Sequence, residues 1–138
     1  MCDAALPGHI AVVLFRPGEA GELVHWSRSD RWPSIVAAEL HGAAKAARVV
    51  RRQKLNDPVI VTDARVVYDF VRRGVSRNDV HAREIVDIRT CAEVMHMAWV
   101  PSERNVADGL SRARTRYEAE RLAAGATDPL PDMTSAWL

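Results

Sequence analysis

Four acidic residues stand where apolar sequence gives way to polar, and together they could hold metal ions. Asp3 lies in Cys2-Asp3-Ala4-Ala5 ahead of a glycine-led apolar run. Glu39 interrupts Ala37-Ala38-Glu39-Leu40, Asp63 closes Val59-Ile60-Val61-Thr62, and Asp108 follows Asn105-Val106-Ala107. A carboxylate flanked by apolar residues must face water, a cation or a partner, because burying it unpaired is costly. Taken singly, each has an ordinary structural reading: Asp63 and Asp108 as helix caps or first-turn acids, Glu39 as a solvated helix residue, Asp3 as an exposed terminal acid. Taken together, they fall on strand ends and a facing helix of one sheet edge. Carboxylates gathered without a basic partner are stable when they bind hard cations, which take oxygen ligands.

The elements that must position them follow from the apolar pattern. Residues 10–15 (Ile10-Ala11-Val12-Val13-Leu14-Phe15) are a short β-branched run closed by a Pro-Gly turn, and read as a buried strand with residues 22–28 as hairpin partner. Over 33–54 the period changes: Val36, Leu40, Ala43, Ala44, Ala47 and Val50 predict an amphipathic helix, with Pro33 in its first turn and Arg48, Arg51 and Arg52 at its end. Residues 59–62 read as a strand buried on both faces. Asp63 would cap a helix over 64–73 ended by Gly74, and Ser76 with Asp79 would open another to about residue 92. Residues 94–100 read as a strand stopped by Pro101, and Asn105 with Asp108 as the start of a single helix to about residue 124. This order predicts an α/β fold with a mixed sheet, and in open α/β sheets ligands bind at the carboxyl ends of the strands.

At this point the residues resemble a family. The string Trp99-Val100-Pro101-Ser102-Glu103-Arg104-Asn105-Val106-Ala107-Asp108-Gly109-Leu110-Ser111-Arg112 looks like the last catalytic motif of the ribonuclease H domain of reverse-transcribing elements, in the manner of retrotransposon and hepadnavirus-like polyproteins. Thr62-Asp63 before Ala64-Arg65-Val66-Val67 is similar to that family's second aspartate motif, Ala38-Glu39-Leu40 with Ala43 to its helix glutamate, and Cys2-Asp3-Ala4-Ala5 with Gly8 to its opening motif. The four acids come in the family's order, 36, 24 and 45 positions apart.

The resemblance implies a ribonuclease H-like mixed five-stranded sheet flanked by helices over residues 1–124, with 125–138 as a tail or linker. It implies Asp3, Glu39, Asp63 and Asp108 as both catalytic residues and ligands of two magnesium ions, with manganese as a substitute. Asp3 would bridge both ions, Glu39 and Asp63 would bind one, and Asp108 the other. Two such ions can activate a water and stabilise the leaving oxygen in an in-line phosphodiester displacement. The substrate implied is the RNA strand of an RNA–DNA hybrid, distinguished by its 2′-hydroxyls. Arg65, Arg72, Arg73, Arg104, Asn105 and Arg112 would contact the nucleic acid, although Arg72 and Arg73 equally suit a helix C-terminus. The loop 101–105 lacks the His that cellular members carry before the last aspartate. The family's first strand is central to its sheet, and only Met1 and Cys2 precede Asp3, so a truncated first strand is expected, as in a fragment of a polyprotein with a reverse transcriptase upstream.

Composition agrees with this and narrows the alternatives. The chain has 138 residues, 48% of them apolar, which is one domain with a sizeable core. Nineteen basic against eighteen acidic residues exclude a polybasic binder and an acidic disordered segment. With the four acids committed to cations, nineteen basic residues face fourteen acidic ones, and seventeen of the nineteen are Arg, whose planar fork suits phosphate. No signal peptide or membrane span is read, an intracellular location is expected, and Cys2 and Cys91 suggest neither a disulfide nor a metal knuckle. Two other readings stay open: a catalytically weak or inactive ribonuclease H-like scaffold that binds nucleic acid, and a related transposase-type nuclease.

Overall fold

The structure, a computed structural model, describes residues 1–16, 18–55, 58–74, 79–91, 96–126 and 136–137. It is mixed α/β. Three strands, β1 (Cys2–Ala4), β2 (His9–Leu14) and β3 (Glu22–Arg28), form an antiparallel meander in the order β1-β2-β3. Asp3 pairs in register with Ala11, and a bulge between Val12 and Val13 shifts the far end of the β2–β3 ladder. A second sheet joins β4 (Val59–Thr62) in parallel to β5 (His96–Trp99), and β5 antiparallel to β6 (Ala136–Trp137), so residues read as tail contribute a strand.

Among the described residues the strands therefore form two three-stranded sheets, and the expected single five-stranded sheet is not seen. The physical reason lies in β1, which is three residues long and spends its ladder on β2. It lies beside β4, and the Cys2 thiol donates to the Val61 carbonyl across the seam at 3.4 Å.

Side-chain alternation sorts the core onto two faces. Val12, Ile60 and Met97 pack under the helices α1 (Ile35–Gln53), α2 (Arg65–Arg73) and α3 (Asp79–Cys91). Their neighbours Ala11, Val13, Val61 and Ala98 pack against α4 (Val106–Ser111) and α5 (Arg116–Ala124). Both sheets contribute to both clusters. Helix α1 is lined by buried Ala37, Ala38, Ala43, Ala44, Ala46 and Ala47, small side chains that let it press onto β1, β2 and α3. Gly42 takes this furthest, since a Cβ there would stand 3.2 Å from Ile10 Cγ2 and 3.8 Å from both the Asp3 carbonyl and Cys2 Cβ.

Helix boundaries differ from the sequence expectation in three places. Helix α1 begins at Ile35 with Ser34 as its cap, the Ser34 hydroxyl accepting from Ala37 N at 3.1 Å, and Pro33 precedes it. Helix α2 is not capped by Asp63; Ala64 is its cap residue, and Thr62 Oγ1 accepts from Ala64 N at 3.1 Å. The single helix expected from Asn105 to residue 124 is two. Thr115 caps the second, accepting from Glu118 N at 3.1 Å while Glu118 accepts from Arg114 N at 3.2 Å. Thr115 and Glu118 are the S/T-x-x-E signature of a helix start, which competes with helix continuation here. The helix start expected at Ser76 lies outside the described residues.

Asn105 ties α4 to the first sheet. It is buried, its Oδ1 accepts from Ala107 N at 3.1 Å as the cap of α4, and its Nδ2 donates to the Cys2 carbonyl at 3.1 Å. Asn105→Ala removes the cap and strands a buried carbonyl. It is expected to cost about 2 to 3 kcal/mol in urea unfolding, and a loss below about 0.5 kcal/mol would contradict the clamp, since surface changes stay within that range.

Candidate metal centre

Period-two alternation aims Asp3 at the α4 side of the sheets. Its strand neighbours Cys2 and Ala4 pack on the α1 side, whereas Met1 joins the α4 side. The same count puts Asp63, two residues beyond Val61, on that side at the end of β4. The Asp63 carbonyl is held by Trp99 Nε1 from β5 at 3.0 Å, and Val100 N donates to the Thr62 carbonyl at 3.0 Å. Asp108 is the third residue of α4, whose start Asn105 fixes against β1. One carboxylate oxygen from each of Asp3, Asp63 and Asp108 lies within 4.8 Å of the others.

Glu39 approaches differently. It sits on α1, on the opposite layer, one turn before Gly42 where the helix touches β1. It feels the charges of Asp3 and Asp63 but does not join the three-residue cluster.

Like charges in a half-dry site disfavour ionisation. The Asp3 carboxyl is pushed up from 3.8 to about 7, first by burial and then by the charges of Asp63 and Asp108 and a side-chain hydrogen bond with Asp63, against an opposing hydrogen bond from the Ser111 hydroxyl at 2.7 Å. Glu39 rises from 4.5 to about 7 through burial and the charges of Asp3 and Asp63. Burial also pushes the Cys2 thiol up to about 12, which keeps it an apolar core group. Among the described residues no side-chain cation pairs with Asp3 or Asp63; Arg112 Nε pairs with Asp108 Oδ1 at 3.4 Å on the exposed side. An all-oxygen donor set carrying several uncompensated negative charges fits a hard divalent cation.

The residues expected at a nucleic acid divide. Arg65, Arg72, Arg73, Arg104 and Arg112 are exposed. Arg65 lies over the rings of Tyr68 and Trp99, 5.4 and 5.6 Å from their centroids, with Asp69 at 3.6 Å, and so stands beside the indole that fixes Asp63. Arg104 is in a 3₁₀ turn, Ser102–Arg104, just ahead of α4. Asn105 differs from these: it is buried, and its side chain both donates and accepts inside the protein, which makes it a structural clamp between α4 and β1. Trp26 is engaged too; it stacks on His9 at 3.6 Å and donates to the Leu110 carbonyl at 3.0 Å. Neither Ser111 nor the Asp63-anchoring role of Trp99 stands out in the sequence as part of the site. The available signal for Ser111 was its place three residues after Asp108, facing the same way on a helix.

No protein-family model, curated protein or solved structure matches this chain. The site stands on its own geometry.

The raised acids set a pH dependence. A carboxyl whose folded pKa exceeds its unfolded value contributes stability that is present below the unfolded value, 3.8 for Asp3 and 4.5 for Glu39, and lost as pH rises through about 7. In EDTA, the melting temperature is expected to fall between about pH 4 and pH 7, and magnesium is expected to restore it at pH 8 while doing little at pH 5. Asp3→Asn should raise the EDTA melting temperature at pH 8 and abolish the magnesium gain. Equal gains from magnesium at pH 5 and pH 8 would refute this account.

Proposed function

We propose that this chain is a metal-dependent endonuclease that hydrolyses the RNA strand of RNA–DNA hybrids. The observation that carries the reading is the convergence of Asp3, Asp63 and Asp108 from three separate elements within 4.8 Å. Order and spacing of the acids, with the Asn105–Asp108 helix start, support the ribonuclease H resemblance. Asp3, Asp63 and Asp108 would hold divalent cations, magnesium or manganese, with Glu39 as a fourth carboxylate from α1. When bound, two such ions supply an activated water and charge stabilisation for phosphodiester cleavage.

The protein's own part is placement. Trp99 and Asn105 fix the backbone at Asp63 and α4, so the carboxylates are held before substrate arrives. Arg65, Arg104 and Arg112 flank the cluster in sequence and are exposed, and would take phosphates of the hybrid. Arg72 and Arg73 lie at the far end of α2, about 12 Å along its axis by the helical rise, and would meet phosphates further along the duplex. Selection of the RNA strand would come from 2′-hydroxyl contacts across the minor groove. Such an activity belongs inside the cell, in a retroelement replication complex, with a reverse transcriptase joined upstream. Among the described residues no helix is long and apolar enough to cross a membrane.

A second reading, a weak or inactive ribonuclease H-like scaffold, is favoured by the Arg112–Asp108 ion pair, which engages one of the three carboxylates. The two are separated by cleavage of a labelled hybrid in magnesium or manganese. Cleavage is expected for wild type, with RNA duplex and DNA duplex left intact. Asp63→Asn should lose more than about a hundred-fold, beyond what loss of an outer hydrogen-bond partner costs. Equal cutting by wild type and Asp63→Asn would overturn the site, and no cutting by wild type would favour the scaffold.

A further inference from the structure

Ser111 is fully buried at the end of α4, one helical turn after Asp108. Its hydroxyl has one proton and two acceptors in reach, Asp3 Oδ2 at 2.7 Å and the Asp108 carbonyl at 2.9 Å. A helical serine ordinarily bonds back to a carbonyl three or four residues earlier, and that contact is available here. The contact to the carboxylate is shorter and charge-assisted, so the proton lies toward Asp3.

The surroundings leave the hydroxyl little freedom. The Ser111 carbonyl abuts the β1–β2 turn, where a Cβ on Gly8 would stand 3.0 Å from it, and the preceding carbonyl, that of Leu110, is held by Trp26 Nε1 at 3.0 Å. While Asp3 holds its proton it is within hydrogen-bonding reach of Asp63; once both are ionised, repulsion from Asp63 and Asp108 acts to turn the Asp3 carboxylate away from them. The bond from Ser111 opposes that rotation and consumes only one of the two oxygens.

We infer that Ser111 is a positioning residue of the metal centre: by holding Asp3 Oδ2 it fixes the carboxylate so that its other oxygen is available to a cation shared with Asp63 and Asp108. This rests on the metal-centre reading above. Ser111 touches no substrate or cation itself. Its effect is on how tightly the three carboxylates hold an ion.

The test is manganese binding to the full chain, followed by electron paramagnetic resonance of free Mn2+, for wild type, Ser111→Ala, Ser111→Cys and Asp3→Asn. Ser111→Ala is expected to weaken Mn2+ binding about ten- to a hundred-fold, as removal of an outer partner of a metal ligand does. Ser111→Cys leaves no cavity and supplies only a weak donor, and should weaken binding in the same direction, measured on a variant whose melting temperature in EDTA shows that it is folded. Loss of binding in Asp3→Asn with wild-type affinity in a folded Ser111 variant would overturn the role of Ser111 alone. Equal affinity in wild type and Asp3→Asn would overturn the metal centre, and this inference with it.

Discussion

The carboxylate of Asp3 is buried beside two others of the same sign, and the rest of the structure answers to that constraint. A charge in this position opposes folding by desolvation and by repulsion. The residue is nevertheless held in a three-residue strand whose backbone is committed on one side to β2 and at Cys2 to the Asn105 amide. Its side chain is tied to Ser111. Each tie comes from an element that has its own reason to be there: β2 from the apolar run, α4 from its cap, and α1 from a face of alanines and Gly42. The unfavourably placed carboxyl is thus held by ordinary packing from several directions.

Electrostatics and layering work together. The strands supply Asp3 and Asp63 to one face, α4 covers that face and supplies Asp108, and α1 brings Glu39 from the other side. Among the described residues no cationic side chain pairs with Asp3 or Asp63. Arg65 turns to Asp69 and the Trp99 ring, and Arg112 reaches only the half-buried Asp108, from its solvent side. Neutralising the cluster from within the chain would remove any need for a cation.

Much of this was legible in the sequence because it depends on local period. The β-branched runs around Val12 and Val61, the alanine stripe of α1 and the Gly74 stop are patterns of neighbouring residues, and each produced its element. The four acids were legible by type and order, although nothing local distinguishes Glu39, on the far layer, from the three that converge. What escaped depends on partners distant in the chain. Asn105 reads as a helix start and a nucleic-acid contact until its bond to Cys2 is seen, 103 positions away. Ser111 reads as one more residue inside a continuous helix until Asp3 arrives from 108 positions away. The break between α4 and α5 was legible, in Thr115 and Glu118, but a continuous helix was the simpler pattern. The division into two sheets was not, because it turns on how few residues β1 can offer to a second neighbour.

That division has a mechanical consequence. Asp3 belongs to one sheet and Asp63 to the other, and at the strands themselves the seam is crossed by the Cys2–Val61 contact at 3.4 Å. An ion gripped by both aspartates would therefore be a rivet through the joint. Sliding the sheets past each other and loosening the ion would be one and the same motion, so the stiffness of the molecule along this line would report directly on its ionic content.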